Sequence, residues 1–258
     1  MKQHLIFFDI DGTLYNDDKE MSEDTKETIK KLQENGHLLA IATGRAPFML
    51  QEVIKETGIT NYISFNGQYA VMNGEVIYEN PLDLETLKQL ENDASSNDHP
   101  LVFLNEHEMV SNIEFHENIK ESISTLKFEH PRYEKNYYID KPIYQTLIFN
   151  SEEEDKLYDD QYKMIKFIRW HEVSRDVVPV NGSKFEGIKK VSEALNIPIE
   201  DCIAVGDGLN DLEMIHGVGL GIVMGNGVDA LKEVADYVTE DVHKEGLTKA
   251  FKHFKLID

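Results

Sequence analysis

The chain opens on a run of four apolar residues, Leu5-Ile6-Phe7-Phe8, that stops at Asp9, the pattern of a buried strand running into a polar loop. Ser22 stands where an N-cap belongs, and Met21, Ile29 and Leu32 mark an apolar face, so the spacing predicts a helix over 22–35 that Gly36 stops. A second buried strand over 38–42 leads straight into Thr43-Gly44-Arg45. Pro47 suits the first turn of a further helix, which Gly58 ends. Residues 63–65 read as a third short strand, and 71–78 as a hairpin turned at Asn73-Gly74.

Between residues 81 and 181 the texture changes. A polar helix over 82–95, a hairpin from 101–104 and 109–113, a helix near 115–126, a strand over 145–149 and one or two strands within 167–180 predict a separate α+β unit. The acidic run 152–155, with Asp159 and Asp160, reads as the exposed face of a helix in preference to a metal site. After Gly182 the alternation returns, with helices over 183–196, 209–215, 228–235 and 247–255 and strands over 202–205 and 219–224. The expected fold is α/β. A doubly wound, mostly parallel sheet is built from 1–80 and 182–258, and an α+β cap domain, 81–181, is inserted into it.

Composition narrows the partners. With 26 Lys+Arg against 48 Asp+Glu, the formal net charge of -22 repels nucleic acid and anionic membranes at long range, so neither is expected. No apolar stretch approaches the ~20 residues needed to span a bilayer. The run 5–8 is too short for a secretory signal, and a cytoplasmic location is expected. The single Cys202 lies in an apolar run; it excludes an intramolecular disulfide and a Cys-rich zinc site, and reads as a buried thiol. Nothing in the sequence marks an oligomeric state.

In an open parallel sheet, ligands bind beyond the carboxyl ends of the strands. Three polar loops follow predicted strands: Asp9-Ile10-Asp11-Gly12-Thr13, Thr43-Gly44-Arg45 and Gly206-Asp207-Gly208-Leu209-Asn210-Asp211. Converging on one edge, they supply four carboxylates, hydroxyl donors and glycine amides. Crowded carboxylates resist common ionisation without a cation, and oxygen-only ligands favour Mg²⁺ or Ca²⁺. Carboxylates beside Gly and Thr donors suit a metal-bridged phosphate. Lys184, opening the helix that leads to the third loop, can add positive charge.

These residues resemble the motifs of the haloacid dehalogenase superfamily, specifically its Cof-type phosphatases with a large cap. The motifs are Asp9-Ile10-Asp11-Gly12-Thr13, Ala42-Thr43-Gly44-Arg45, Lys184, and 206–211, in that order. The resemblance spans nearly the whole chain, and the cap falls between the second and third motifs, where this branch carries it. It implies a Mg²⁺-dependent phosphatase that hydrolyses a small phosphorylated metabolite through an aspartyl-phosphate. Asp9 would be the nucleophile, and Asp11 the acid that protonates the leaving oxygen and then the base that activates water. Thr43, Gly44, Arg45, Lys184 and Asn210 would bind substrate. Asp9, the main-chain carbonyl of Asp11 and Asp207 would hold Mg²⁺, with Asp211 binding it directly, through water, or orienting the lysine. One departure stands out: close relatives place Gly directly after this lysine, whereas Phe185 follows here and Gly187 comes later.

Other readings are weighed on the same residues. Asp9, Asp11, Thr13 and Glu20 fall at EF-hand ligand positions, but Leu14 occupies the position that needs Gly and a strand stands where a helix belongs. A phospho-accepting signalling domain needs neither Asp11 nor a cap. A phosphomutase of the superfamily carries its cap between the first two motifs, which only a helix and a strand separate here. Arg45 fits either a substrate contact or a cap on the sheet edge, and Asn66 either a site residue or an ordinary turn. Gly217, Gly219 and Gly221 read as tight packing, and the ten His residues show no paired ligand spacing.

Overall fold

The computed structural model describes residues 2–258. Its contacts divide the chain into two compact units. One holds the described residues up to Arg45 together with Met49–Tyr78 and Ser183–Asp258; the other holds Ala46–Phe48 and Glu79–Gly182.

The first unit begins with β1 (Leu5–Phe8), α1 (Glu23–Glu34), β2 (Leu38–Ala42), α2 (Gln51–Thr57), β3 (Tyr62–Ser64), β4 (Tyr69–Met72) and all but the last residue of β5 (Glu75–Glu79). Ser22 caps α1 by accepting the Thr25 amide, as its position suggested. The helix expected from Pro47 is broken: Pro47–Met49 forms a 3₁₀ turn and α2 starts afresh. The hairpin turns at Asn73 and Gly74, both left-handed, which matches a two-residue turn of the favoured twist.

The second unit carries α3 (Leu84–Ser96), β6 (Leu101–Leu104), β7 (Met109–Ser111), α4 (Glu117–Thr125), β8 (Gln145–Ile148), β9 (Ile165–His171) and β10 (Ser174–Pro179). Its strands form an antiparallel sheet in the order β7-β6-β8-β10-β9. Leu87, Leu90 and Ala94 of α3 pack on Leu101, Phe103, Ile148 and Val177. The acidic run is not simply an exposed face. Asp155 pairs with Arg169 and with the buried Arg175, whose other end meets Asp159, because a buried guanidinium must be compensated.

The first unit resumes with α5 (Lys184–Leu195), β11 (Cys202–Gly206), α6 (Leu212–Gly217), β12 (Leu220–Val223), α7 (Asp229–Lys232), β13 (Tyr237–Val238) and α8 (Gly246–His253). Its eight-stranded sheet has the order β13-β12-β11-β1-β2-β3-β4-β5. Neighbours from β13 through β3 pair in parallel, and β4 is antiparallel to β3. Side chains of β1 alternate between two cores: Ile6 and Phe8 meet α1, α2 and α8, while Leu5 and Phe7 meet α5, α6 and α7. Both faces are covered, which is why the strand reads as an unbroken apolar run. All four side chains are fully buried, each contributing ~1.5–3 kcal/mol. This central strand ends at Asp9. The helix expected over 228–235 shrinks to α7, and the two-residue β13 escapes sequence reading.

Candidate active site

Asp9 still belongs to the sheet, since its amide donates to the Val205 carbonyl at 2.9 Å, and its side chain emerges at the carboxyl edge. The chain then turns tightly through Gly12, whose φ of +81° admits glycine readily; a Cβ there would land on the Asp207 carboxylate. The Gly12 carbonyl accepts Asn226 Nδ2 at 2.8 Å, and buried Thr13 donates to Asp207 Oδ1 at 3.5 Å. Asp207 is thereby seated against the first loop by residues from both ends of the chain.

Lys184 is the centre of the arrangement. Ser183 caps α5 by accepting the Glu186 amide, which starts the helix at the lysine. The buried Lys184 Nζ donates to Asp9 Oδ1 and to Asp211 Oδ1, each at 2.6 Å. Asp211 Oδ2 accepts the amides of Asp207 at 3.0 Å and Gly208 at 2.9 Å, so the fourth motif is wound around its own last carboxylate. Phe185 and Gly187 account for the departure after the lysine. The Phe185 ring lies over Gly217, and Gly187 lets α5 close on Ile63 and Gly67.

One oxygen from each of Asp9, Asp207 and Asp211 lies within 4.8 Å of the others. Burial, with help from the neighbouring carboxylates and against the pull of Lys184, pushes Asp9 up to about 8. Burial and Asp211 push Asp207 up to about 7. Burial works against the Lys184 ammonium, but Asp211 and Asp9 hold it well above the usual lysine range. Three carboxylates facing a single ammonium are short of positive charge, and every donor is a hard oxygen. The set fits a divalent cation such as Mg²⁺.

Asp11 does not join that cluster. Its carboxylate is gripped by Arg45, from Nε at 3.0 Å and Nη2 at 2.7 Å, and by Lys19 at 2.6 Å. Burial pushes Asp11 up, but Arg45 and Lys19 together hold it below the usual carboxylate range. Of the four carboxylates expected to crowd together, three gather and the fourth is paired apart.

Thr43 and Gly44 follow β2 on the same edge. Thr43 Oγ1 accepts the Arg45 amide at 3.1 Å, which folds the loop back and leaves the hydroxyl proton free to donate. Asn210 reaches Asn66, at the end of β3, with a 3.1 Å hydrogen bond. Lys19 and Asn226 were missed by sequence reading. Lys19 sits in a left-handed turn (φ 59°) held by Asn16, whose side chain accepts the Asp18 and Glu20 amides. Nothing in its spacing from Asp11 signals the pairing.

A family model described as haloacid dehalogenase-like hydrolase matches residues 6–251, a span that contains every one of these loops. The chain belongs to the haloacid dehalogenase-like hydrolases. Within this family it stands with the Cof-type phosphatases. It is 45% identical, over the full length of both chains, to YkrA of Bacillus subtilis (strain 168), a protein named as a phosphatase. It is 30% identical, over 98% of each chain, to the 5-amino-6-(5-phospho-D-ribitylamino)uracil phosphatase YitU of the same organism. Among solved structures, a subclass IIB sugar phosphatase superposes with a TM-score of 0.89 at 29% identity, covering 99% of this chain and 100% of that one. No helix among the described residues is long and apolar enough to cross a membrane.

Proposed function

We propose that the chain is a Mg²⁺-dependent phosphatase that hydrolyses a small phosphate monoester through a phospho-aspartate on Asp9. The observation that carries this reading is Lys184, buried between Asp9 and Asp211 with Asp207 alongside. A carboxylate is a usable nucleophile toward phosphorus only if its repulsion from the phosphate dianion is offset, and Lys184 offers that screening from behind.

Asp9, Asp207 and the main-chain carbonyl of Asp11 would hold Mg²⁺, with Asp211 behind them. The Asp211 carboxylate already accepts from Lys184 and from the Asp207 and Gly208 amides, which suits orientation of the lysine better than direct ligation. When bound, the ion supplies neutralisation of charge on the phosphoryl oxygens. Asp9 would attack phosphorus as the ester oxygen leaves, and Thr43 Oγ1, the Gly44 amide and Asn210 would orient the phosphoryl oxygens. Asp11 would give its proton to the leaving oxygen, then take one from the water that cleaves the aspartyl-phosphate. Its low acid range favours the second task. For the first, the arriving leaving group must draw Arg45 and Lys19 away from it, a reason to place both cations on the leaving-group side.

Two relatives are named for sugar or ribityl phosphate chemistry, which supports a small sugar or polyol phosphate as the substrate class. Residues 81–181 hold none of the four motifs, and we assign substrate selection to them as a cap. Mixing the protein with a ³²P-labelled substrate and quenching in acid tests the mechanism. A hydroxylamine-sensitive label on wild type, absent from Asp9→Asn, is expected; hydrolysis with no labelled protein at any time would refute the covalent route.

A further inference from the structure

At the carboxyl end of β3 three consecutive residues adopt left-handed backbone: Phe65 (φ 52°), Asn66 (φ 54°) and Gly67 (φ 100°). Glycine does so freely and asparagine tolerates it, but for a bulky aromatic such a φ is a true outlier that the surroundings must enforce. The surroundings are the loops of the site. The Phe65 amide donates to the Arg45 carbonyl at 3.2 Å, and the Asn66 amide to the Thr43 carbonyl at 3.0 Å. Gly67 abuts the carbonyl of Ser183, the residue before Lys184, closely enough that any Cβ would collide with it.

The Asn66 side chain completes the connection. It is 3% exposed, and its Oδ1 accepts Nδ2 of the exposed Asn210 at 3.1 Å. Its amide also lies flat against Gly44: a Cβ there would stand 3.1 Å from both Asn66 Oδ1 and Nδ2. A carboxamide nitrogen carries two N–H donors. With one committed to Asn66, the other is held in a fixed direction instead of rotating in solvent.

We propose that Asn66 is a positioning residue that fixes the Asn210 amide, and with it the Thr43-Gly44 loop, for binding the phosphoryl oxygens. The inference rests on the phosphatase reading above. Asn66 itself donates nothing to the reacting atoms; it sets which edge of Asn210 the phosphate meets. The strained turn is retained because it brings one buried side chain between two loops that are far apart in sequence.

The test is a double-mutant cycle on p-nitrophenyl phosphate hydrolysis with saturating Mg²⁺, with inorganic phosphate as inhibitor. Asn66→Gly keeps a left-handed turn and deletes the carboxamide. It is expected to raise KM and the phosphate inhibition constant about tenfold while kcat changes by less than about threefold. Asn210→Ala is expected to do the same, and the double variant to be no worse than either single one, since both remove one linked contact. Losses that multiply, or an unchanged phosphate constant in Asn66→Gly, overturn the proposal. Should Asn66→Gly fail to fold in a thermal melt, Asn66→Asp, which retains the acceptor, is expected to keep KM within about fivefold of wild type; a larger rise overturns it equally. Absence of wild-type hydrolysis, or undiminished hydrolysis by Asp9→Asn, would instead overturn the phosphatase reading itself and this inference with it.

Discussion

The ammonium of Lys184 lies 2.6 Å from Asp211 Oδ1, and neither side chain is exposed to solvent. Because Asp211 also gathers the Asp207 and Gly208 amides, this one ion pair joins the helix bearing the cation to the loop bearing Asp207 and Asp211. Lys184→Met leaves buried carboxylates without their cation. The expected cost is about 3–5 kcal/mol of stability, with hydrolysis reduced by roughly a thousandfold. Denaturant unfolding and turnover measured on the same sample check both; a variant as stable as wild type would remove the bridge from the account.

Asp9→Asn changes charge but hardly changes shape, so hydrolysis is expected to fall to background with the fold intact. Its stability should also differ from wild type in a pH-dependent way. Metal-free, folded Asp9 titrates at about 8 against 3.8 for the ordinary group. The folded state therefore holds the extra proton, and the Asp9 contribution is lost as pH rises toward about 8. In chelator, the wild-type melting temperature is expected to fall relative to Asp9→Asn as pH rises from about 4 to about 8, and to level off above that. Parallel curves would show that Asp9 is not so perturbed.

The same protons must leave when a cation enters. Asp9 at about 8 and Asp207 at about 7 are both partly protonated near neutrality without metal. Apparent Mg²⁺ affinity should therefore climb from about pH 6 and flatten above about pH 8.5. Calorimetry in buffers of different ionisation enthalpy would count the released protons. Chelation is expected to abolish activity without unfolding the protein, and excess Ca²⁺ to inhibit because its looser coordination misplaces the nucleophile. Full activity in chelator would refute the metal assignment.

Asp11→Asn separates acid catalysis from the nucleophile. An alkyl phosphate needs its leaving oxygen protonated, and its turnover should drop by about 10²–10⁴. The p-nitrophenolate of p-nitrophenyl phosphate leaves unaided, so transfer to Asp9 should suffer much less, with label accumulating on the protein for want of a base. An equal loss on both substrates, with no accumulated label, would argue that Asp11 serves only to bind.

Much of this site was legible before any coordinates because β1, β2 and β11 are buried on both faces. Such strands read as solid apolar runs, and Asp9, Thr43 and Asp207 declare themselves by interrupting them. Lys184 could be placed because it opens the helix read over 183–196 and matches the third motif. The pairing of Asp11 was not legible: it needs Arg45 from another loop and Lys19 from a turn set by the Asn16 side chain, and linear spacing carries neither. In the sequence Asn66 fits a turn and a site residue equally well, because its bond to Asn210 joins positions far apart in the chain. The departure at Phe185 has a packing reason that linear sequence does not carry: its ring lies over Gly217, and Gly187 lets α5 close on Ile63 and Gly67.

Cys202 offers a clock. It lies buried on β11, register-paired with Leu5 of the strand that presents Asp9, and burial pushes its thiol up to about 12. An unreactive thiol at neutral pH can be alkylated only when that part of the sheet opens. With no other cysteine in the chain, the rate of native-state alkylation reports exposure of this one thiol from the core it shares with α5 and α6, free of background. Mg²⁺ or a phosphate analogue bound at the sheet edge is expected to slow it, so ligand occupancy can be followed even for a substrate whose product gives no signal.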